Sequence, residues 1–395
     1  MYKLEKKYSP HQFSIFRILF GVYLFTYFVS LIPYGSELFS SEGMVDHVSL
    51  NWTNALLPEV FTYATNPIFV TSLLSILAIL SLCVSFGYWR RISAALLWVG
   101  WAALYNMNNL TGDPSLAFVG LLLLALAIIP VYEPLALSNL TTASKEHKKW
   151  FVPAILFWGM WFIFGASFTI SGLEKFASPA WFGGSAIILL YEGPMVFHYV
   201  LTDFLRTLPE QIHKLTTWLV LYSQMLALPA IFFRITRLIF WLITTAFFVF
   251  GHLVLDLTYV LIALVLFYFF MFDSTWFKGR QKTNMLFIDG TCTACTAFAK
   301  FIKTEDIHDR YSVETFQSKA IKGFLSDEEI EKMETMVLIV DEVIIYRGAD
   351  ALIYSIANLG GIWITIKILF IFPKKIRSKW YQYISVNRCR IGRCL

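Results

Sequence analysis

Two cysteines three residues apart, in the stretch FIDGTCTACTAFAKFI, are the residues of this sequence best suited to do chemistry. Cys292 and Cys295 follow a short apolar strand and stand at the start of a predicted helix. Exposed amides and the helix dipole stabilise a thiolate there, and this spacing lets one sulphur resolve a mixed disulfide that the other has formed. The pattern predicts a redox-active disulfide, with Cys292 as the attacking thiol.

Two other interpretations of this cysteine pair stay open. Cys389 and Cys394 would complete a four-cysteine zinc site, although structural zinc sites more often use two short knuckles; otherwise the thiols are inert. A reduced, exchanging dithiol fits a cytoplasmic location better than a structural disulfide does. Cys83, alone within an apolar run, is predicted to be a small buried hydrophobic residue.

A second reactive candidate is Lys175, in SGLEKFASPAWFGG, where a glutamate and a lysine follow an apolar run long enough to cross a membrane. In a desolvated pocket the ammonium form of lysine is disfavoured, which frees a basic lone pair near neutral pH. A lysine at a helix end also extends its amine to the membrane interface without any catalytic role. The approach to such a pocket would be shaped by Trp181, Gly183 and Gly184. Alternatively, Trp181 belongs to an aromatic belt and the two glycines form a flexible turn.

Composition places these residues in an integral membrane protein. The chain has 395 residues, of which 57% are hydrophobic and 15% charged, and its mean hydropathy is +0.62, outside the balance of soluble globular proteins. A bilayer core about 30 Å thick takes roughly 20 apolar residues per helical crossing. The sequence predicts about eight transmembrane helices, at 13–32, 68–87, 92–110, 114–132, 151–171, 214–233 and two within 238–272 that are separated by a tight break at 251–258.

Basic residues alternate between the predicted loops and indicate an orientation. Lys and Arg gather near the N-terminus and at 90–91, 145–149, 234–237 and 278–282, whereas the opposite loops, such as 33–67, hold acidic residues. The positive-inside rule then predicts a multi-pass protein of the cell membrane with both termini cytoplasmic. The net charge of +5 arises from these clusters and indicates no nucleic-acid partner.

The sequence changes character after Asn284, where a second, soluble domain is predicted. A strand is followed by CxxC at the start of a helix, a strand around YSVETF, a polar helix at Asp327–Glu334, a hairpin in METMVLIVDEVIIYRG and further helices. This is the order of a thioredoxin-like α/β domain. The predicted fold is therefore a polytopic α-helical membrane protein with a C-terminal thioredoxin-like α/β domain, divided into 1–282 and 283–395.

The second domain resembles the DCC thiol-disulfide oxidoreductase family over nearly all of its length. The resemblance is carried by FIDGTCTACTAFAKFI, Phe316–Gln317, Gly348–Ala351, Pro373 and the closing KWYQYISVNRCRIGRC. It implies thiol-disulfide chemistry at the two cysteines. Thioredoxins hold a cis-proline beside their dithiol, and this sequence departs from them because no proline precedes VLIVDEVIIY.

The membrane region resembles the HTTM family, which is related to vitamin K-dependent γ-carboxylase, over roughly residues 10–275. FSIFRILFGVYLF, the YNMNNL stretch that contains Asn106, and above all SGLEKFASPAWFGG carry this resemblance. In the carboxylase the lysine of that motif is taken as the base that deprotonates vitamin K hydroquinone, and Lys175 is its counterpart. The resemblance implies a reduced quinone-type cofactor, with Asn106 and Trp181 among its contacts. The large lumenal region through which the carboxylase docks its substrate is missing here.

His252 and Asp256 are two further ionisable residues at or near membrane depth. Their spacing of four places them on one face if the segment is helical, where His252 would hydrogen-bond a quinone oxygen and Asp256 would set its tautomer. A capped helix break is the equal alternative. Glu192 and His198 are predicted to be solvated interfacial residues, and no metal site is predicted.

Together these patterns predict an integral membrane enzyme, carboxylase-like or quinone-linked, that modifies a secreted peptide or a small substrate and carries a fused cytoplasmic dithiol domain. Its partners would be the lipid bilayer, a secreted peptide substrate and a cytoplasmic thiol reductant. The alternative is a non-catalytic maturation, chaperone or immunity partner of a secreted peptide toxin, in which the residues named above are structural.

Overall fold

The computed structural model describes residues 5–44, 66–141, 150–277, 283–316, 318, 324 and 335–391. The chain divides into two compact units, Met1–Lys6 with Phe13–Phe272 and Lys7–Gln12 with Asp273–Leu395. The first unit is almost wholly helical, whereas the second combines helices with a mixed β-sheet. The domain boundary expected from the sequence, between residues 282 and 283, stays a prediction.

Long apolar runs form the helices of the first unit. Asn66 caps one of them, whose first residue is Pro67, and Gly87 ends it in the left-handed region. Two short strands, β1 Glu5–Lys6 and β2 Val152–Pro153, pair antiparallel. The described helices are α1 Pro10–Leu31, α2 Gly35–Phe39, α3 Pro67–Phe86, α4 Arg90–Met107, α5 Leu116–Ile128, α6 Ser138–Thr141, α7 Ala154–Phe176, α8 Pro179–Phe182, α9 Ala186–Glu192, α10 Val200–Arg206, α11 Glu210–Met225, α12 Ala227–Ala230, α13 Arg234–Val254 and α14 Thr258–Met271.

Within the described ranges, four helical segments are long and apolar enough to cross a membrane. These are Pro10–Phe39, which includes α1 and α2, Pro67–Phe86, Ala154–Phe176 and Arg234–Val254, whereas α5 and α14 are apolar but shorter. Each of the eight predicted spans overlaps a helix, and α13 and α14 are separated within the predicted break. These lengths support several crossings, and the count of eight stays a prediction.

Aromatic side chains pack the helices of the first unit together. The ring of Phe164 on α7 lies 5.2 Å from that of Phe118 on α5, 5.4 Å from Phe267 on α14 and 6.1 Å from Phe240 on α13, measured between ring centroids. Because lipid tails are as apolar as these side chains, helices in a bilayer are held by close packing rather than by the hydrophobic effect. Phe164 therefore joins four helices at one point.

Three buried charged side chains connect the same unit. The Glu133 carboxylate lies 3.1 Å from Nε of Arg17 on α1 and 2.9 Å from Nε of Arg90, the first residue of α4. Arg17 also donates to the carbonyl of Val84 near the end of α3 at 2.8 Å, and Arg90 donates to that of Ile129, just after α5, at 3.0 Å. The two guanidinium groups thus hold three helix ends around one carboxylate.

The second unit is built on a four-stranded mixed sheet. The strand order is β4-β3-β5-β6, in which β3 pairs parallel with β4 and antiparallel with β5, and β5 pairs antiparallel with β6. A helix, α15, connects the parallel strands, as such a crossover requires. The elements are β3 Asn284–Ile288, α15 Thr293–Glu305, β4 Tyr311–Thr315, β5 Val337–Val340, β6 Ile344–Arg347, α16 Gly348–Ala357, a 3₁₀ segment Gly361–Ile371 and α17 Lys374–Ile391.

Alternation along the strands gives this sheet two buried faces. Leu286 and Ile288 of β3 point to the face that α15 covers, where Ala299 and Ile302 pack against them. Phe287, between them in sequence, is buried on the opposite face. The predicted strand, the helix that follows the CxxC motif, the strand around YSVETF and the hairpin are all confirmed. The predicted polar helix Asp327–Glu334, Gln317, Cys394 and the side chain of Cys389 lie outside the described residues.

Removal of the Glu133 charge should destabilise the first unit. Glu133→Gln leaves two buried guanidinium groups without their carboxylate, and breaking a buried ion pair in this way costs about 3–5 kcal/mol. We expect a clearly lower apparent melting temperature in detergent, followed by tryptophan fluorescence. The exposed Glu192→Gln serves as the control and should melt with the parent; equal melting of both variants would contradict the structural role of Glu133.

Candidate functional site

The loop between β3 and α15 places the two cysteines at the start of a helix. The Asp289 side chain accepts hydrogen bonds from the backbone N–H of Thr291 at 3.0 Å and from its hydroxyl at 2.7 Å, which forms a tight turn. Cys292 is the N-cap residue of α15 in an extended conformation, and its carbonyl accepts the first helical bond, from Thr296, at 3.0 Å. Cys295 lies in the first turn. The local chain therefore has the arrangement that the sequence predicts.

The two cysteines differ in exposure. Cys292 is completely buried, Cys295 is partly exposed, and neither forms a disulfide in the structure. An attacking sulphur has to reach the disulfide of its partner. The burial of Cys292 is at odds with its predicted role as the attacking thiol, because in this conformation Cys295 is the cysteine that solvent reaches.

Met336, immediately before β5, takes the place in sequence where thioredoxins carry a cis-proline. Its backbone N–H donates to the phenolic oxygen of Tyr381 on α17 at 3.3 Å, and its carbonyl accepts from Gly348 at 3.1 Å. Cys295 and Tyr381 both pack against the buried cluster that contains Met336. The described residues contain no cis peptide bond. The residue before β5 is therefore a methionine, and its backbone N–H is bonded to the Tyr381 phenol.

A buried carboxylate fixes the other end of α15. Glu305, the last residue of the helix, accepts hydrogen bonds from the Ser9 hydroxyl, from the His11 backbone at 2.8 Å and from Nε1 of Trp363 at 2.7 Å, and it also contacts Nδ1 of His11 at 2.7 Å. Ser9 and His11 belong to the second unit, as Glu305 does. A carboxylate with this many donors holds its helix in a single position.

Tyr311 joins the sheet to α16 beneath the same buried cluster. Its hydroxyl donates to the Ser355 carbonyl at 2.7 Å. Burial raises the pKa of Tyr311 above its ordinary value, so the phenol stays neutral and keeps this donor.

Comparison with known proteins agrees with this geometry. Residues 286–394 match the family model described as DCC1-like thiol-disulfide oxidoreductase. A thiol-disulfide oxidoreductase-like domain is therefore present at the C-terminal end, and the match covers less than half of the chain. No curated protein and no solved structure matches the chain. The resemblance of the membrane region to the HTTM family is not shown by these comparisons.

Lys175 lies in the last turn of α7, outside the oxidoreductase-like domain. Its amine donates to the Ser171 hydroxyl at 2.6 Å and lies 5.5 Å from the centroid of the Trp181 ring on α8. Lys175 and Trp181 are both partly exposed. The amine thus has a hydroxyl acceptor and an aromatic face as neighbours, and proton abstraction by it would require its neutral form.

The glycines of the same motif have packing roles. A Cβ atom on Gly172 would come within 2.5 Å of the Met225 backbone nitrogen, so that only glycine lets α7 approach the end of α11 this closely. Gly184 has a φ of +85°, a conformation that other residues rarely adopt. These two glycines are therefore explained by the fold, with no reference to a cofactor.

The remaining predicted cofactor contacts make no direct contact with Lys175 in the described chain. α13 ends at Val254, so His252 lies on this helix and Asp256 beyond it, which corrects the expectation of one shared helical face. Nδ1 of His252 is buried without a hydrogen-bond partner in the described chain, whereas Asp256 is exposed. Asn106 is buried within α4, and none of the contacts that Lys175 makes in the described chain is with these three residues.

Sequence reasoning missed the buried charged residues that join distant segments within each unit. Arg17 stands inside a predicted membrane span, and an ionisable residue there is a signal for a buried partner. Glu133 and Glu305 carry no comparable signal, because their partners are distant in sequence. In the described residues no group of three or more His, Cys, Asp or Glu is placed to hold a metal ion. The zinc alternative needs Cys389 and Cys394, whose side chains lie outside the described residues.

Proposed function

We propose that this protein is a membrane-anchored thiol-disulfide oxidoreductase in which Cys292 and Cys295 cycle between dithiol and disulfide. The observation that carries the proposal is the pair of cysteines at the N-terminus of α15, within a domain that matches an oxidoreductase family. The strand order β4-β3-β5-β6 and the helix that follows the inner strand β3 support a thioredoxin-like interpretation of this domain.

The reaction transfers two electrons to a partner disulfide. The thiolate of one cysteine attacks a sulphur of the partner, a new S–S bond forms, and the partner's other sulphur leaves as a thiolate. The second cysteine then attacks the mixed disulfide, which forms the Cys292–Cys295 disulfide and releases the partner as a dithiol. A cytoplasmic thiol reductant restores the starting dithiol by the reverse exchange.

Accessibility supports Cys295 as the cysteine that meets the partner first. Cys292 occupies the N-cap position of α15, where the sequence predicts the attacking thiol. A fully buried sulphur reacts only after the domain opens locally, however, whereas Cys295 is partly exposed without any movement. Cys292 then acts as the resolving thiol, the reverse of the order predicted from the sequence.

Single-cysteine variants should trap the mixed disulfide and reveal this order. After reaction of the full chain with glutathione disulfide, Cys292→Ser should carry glutathione on Cys295, whereas Cys295→Ser should carry much less on Cys292. Peptide mass spectrometry locates the adducts, and Cys83→Ser, a change outside this domain, should behave like the parent. Adduct on Cys292 alone would restore the order predicted from the sequence, and adduct on neither cysteine would contradict the exchange reaction.

We also propose that both termini, and with them the dithiol, are cytoplasmic. The alternation of basic and acidic loops supports this orientation, and the four candidate membrane helices support a membrane location. In intact cells, an impermeant thiol reagent should label a cysteine introduced at Ser49 and miss one introduced at Ser144. The reverse labelling pattern would contradict the orientation.

A quinone-type ligand at Lys175 is a second candidate function, which one observation favours. The Lys175 amine and the Trp181 ring face each other at 5.5 Å, which offers a proton-handling group beside a flat surface on which a quinone ring can stack. Such a site would serve a reaction on a secreted peptide or small substrate, as the resemblance to the carboxylase implies. The non-catalytic alternative, a maturation, chaperone or immunity partner, needs no quinone.

The quinone content of the purified protein distinguishes a quinone site at Lys175 from the non-catalytic alternative. Lipids extracted from the purified parent should contain a quinone detectable by chromatography, and Lys175→Ala and Trp181→Leu should each lose most of it. Glu174→Gln, a change of the exposed neighbour, is the control and should retain it. A parent without quinone, or full retention in both variants, would contradict the quinone site and favour the non-catalytic alternative.

A further inference from the structure

α17 exposes a face that is both basic and aromatic. Its residues are Lys375, Ile376, Lys379, Trp380 and Tyr383, and we call them the basic aromatic face. Ile376, Trp380 and Tyr383 follow the i, i+4, i+7 spacing of one helical stripe, and Tyr383 is 74% exposed. Large apolar side chains this exposed on one stripe indicate a surface that something else covers.

The opposite side of α17 is already occupied by its own domain. Arg377 pairs with Asp350 of α16, and the Tyr381 hydroxyl accepts a hydrogen bond from Met336. These anchors are four residues apart, so they share a face that contacts α16 and the residue before β5. The helix therefore cannot turn its basic aromatic face inward without losing both contacts.

The 3₁₀ segment before α17 also exposes basic and apolar side chains. Lys367, Ile368 and Ile371 are exposed, Ile371 at 76%, and Phe372 contacts Trp380 at 5.0 Å between ring centroids. Residues 361–391 contain seven Lys and Arg and no Asp or Glu. The exposed apolar side chains thus lie in a stretch whose formal charge is wholly positive.

We propose that the basic aromatic face binds the anionic surface of a lipid bilayer. Tryptophan and tyrosine prefer the headgroup level, exposed isoleucines gain free energy at the acyl boundary, and lysines attract anionic headgroups. A nucleic acid would attract the lysines and stack on the aromatic rings, but it would not bury the exposed side chains of Ile368, Ile371 and Ile376. The same chain carries helices that are able to cross a membrane, so a bilayer is within reach of this domain.

Photocrosslinking tests the proposal on the full chain. Tyr383 is replaced by p-benzoylphenylalanine, and the protein is reconstituted in nanodiscs of phosphatidylglycerol and phosphatidylcholine. Illumination should attach lipid to position 383, detected by mass spectrometry. The same photoreactive residue at Val343, which is 79% exposed in the hairpin turn, should attach little. In nanodiscs of phosphatidylcholine alone the yield at position 383 should fall.

Charge reversal then identifies the lysines responsible. Each lysine near an anionic surface raises affinity about fivefold, so Lys375→Glu with Lys379→Glu should lower the lipid yield at position 383 about tenfold or more. The matched control is Lys300→Glu with Lys303→Glu, on the exposed side of α15, and it should leave the yield unchanged. Equal lipid yields at positions 383 and 343, equal yields in the two lipid compositions, or crosslinks only to protein or nucleic acid would overturn the proposal.

Discussion

Glu305 is the group on which the arrangement of the oxidoreductase-like domain depends. A buried carboxylate is costly unless donors satisfy it, and here donors from Ser9, His11 and Trp363 meet it. Ser9 and His11 come from the segment before residue 12, and Trp363 comes from the 3₁₀ segment. Because Glu305 ends the same helix that Cys292 caps, fixing one end of α15 also fixes the position of the two sulphurs at the other end.

The first unit also buries charged side chains that need partners, but there two arginines share one carboxylate. Arg17 and Arg90 are buried among apolar helices, and Glu133 between them supplies the carboxylate that they require. Backbone carbonyls at the ends of α3 and α5 accept further hydrogen bonds from the two guanidinium groups. In both units a single acidic side chain joins segments that are far apart in the sequence, while aromatic and aliphatic packing fills the space between the helices.

The sequence predicts the local elements of this protein well and its long-range contacts poorly. Apolar runs and the CxxC motif mark the helices and the start of α15, because both signals lie within a few neighbouring residues. The hydrogen bond from Ser9 to Glu305 joins residues that are 296 positions apart, and no pattern in a single sequence predicts it. The burial of Cys292 could not be predicted either, because the tertiary structure decides which of two cysteines three residues apart is covered. Asp256 shows a local failure: a spacing of four implies a shared face only if the helix continues, and α13 ends two residues earlier.

In the proposed reaction Cys292 and Cys295 act as one redox pair. The most direct measurement equilibrates the full chain in dithiothreitol buffers of defined potential and counts unmodified thiols by alkylation and mass spectrometry. We expect both thiols to disappear together in one two-electron transition, for which a tenfold change in the equilibrium constant corresponds to about 30 mV. Separate loss of the two thiols, or protection of both until a chelator is added, would contradict the pair and favour inert thiols or zinc.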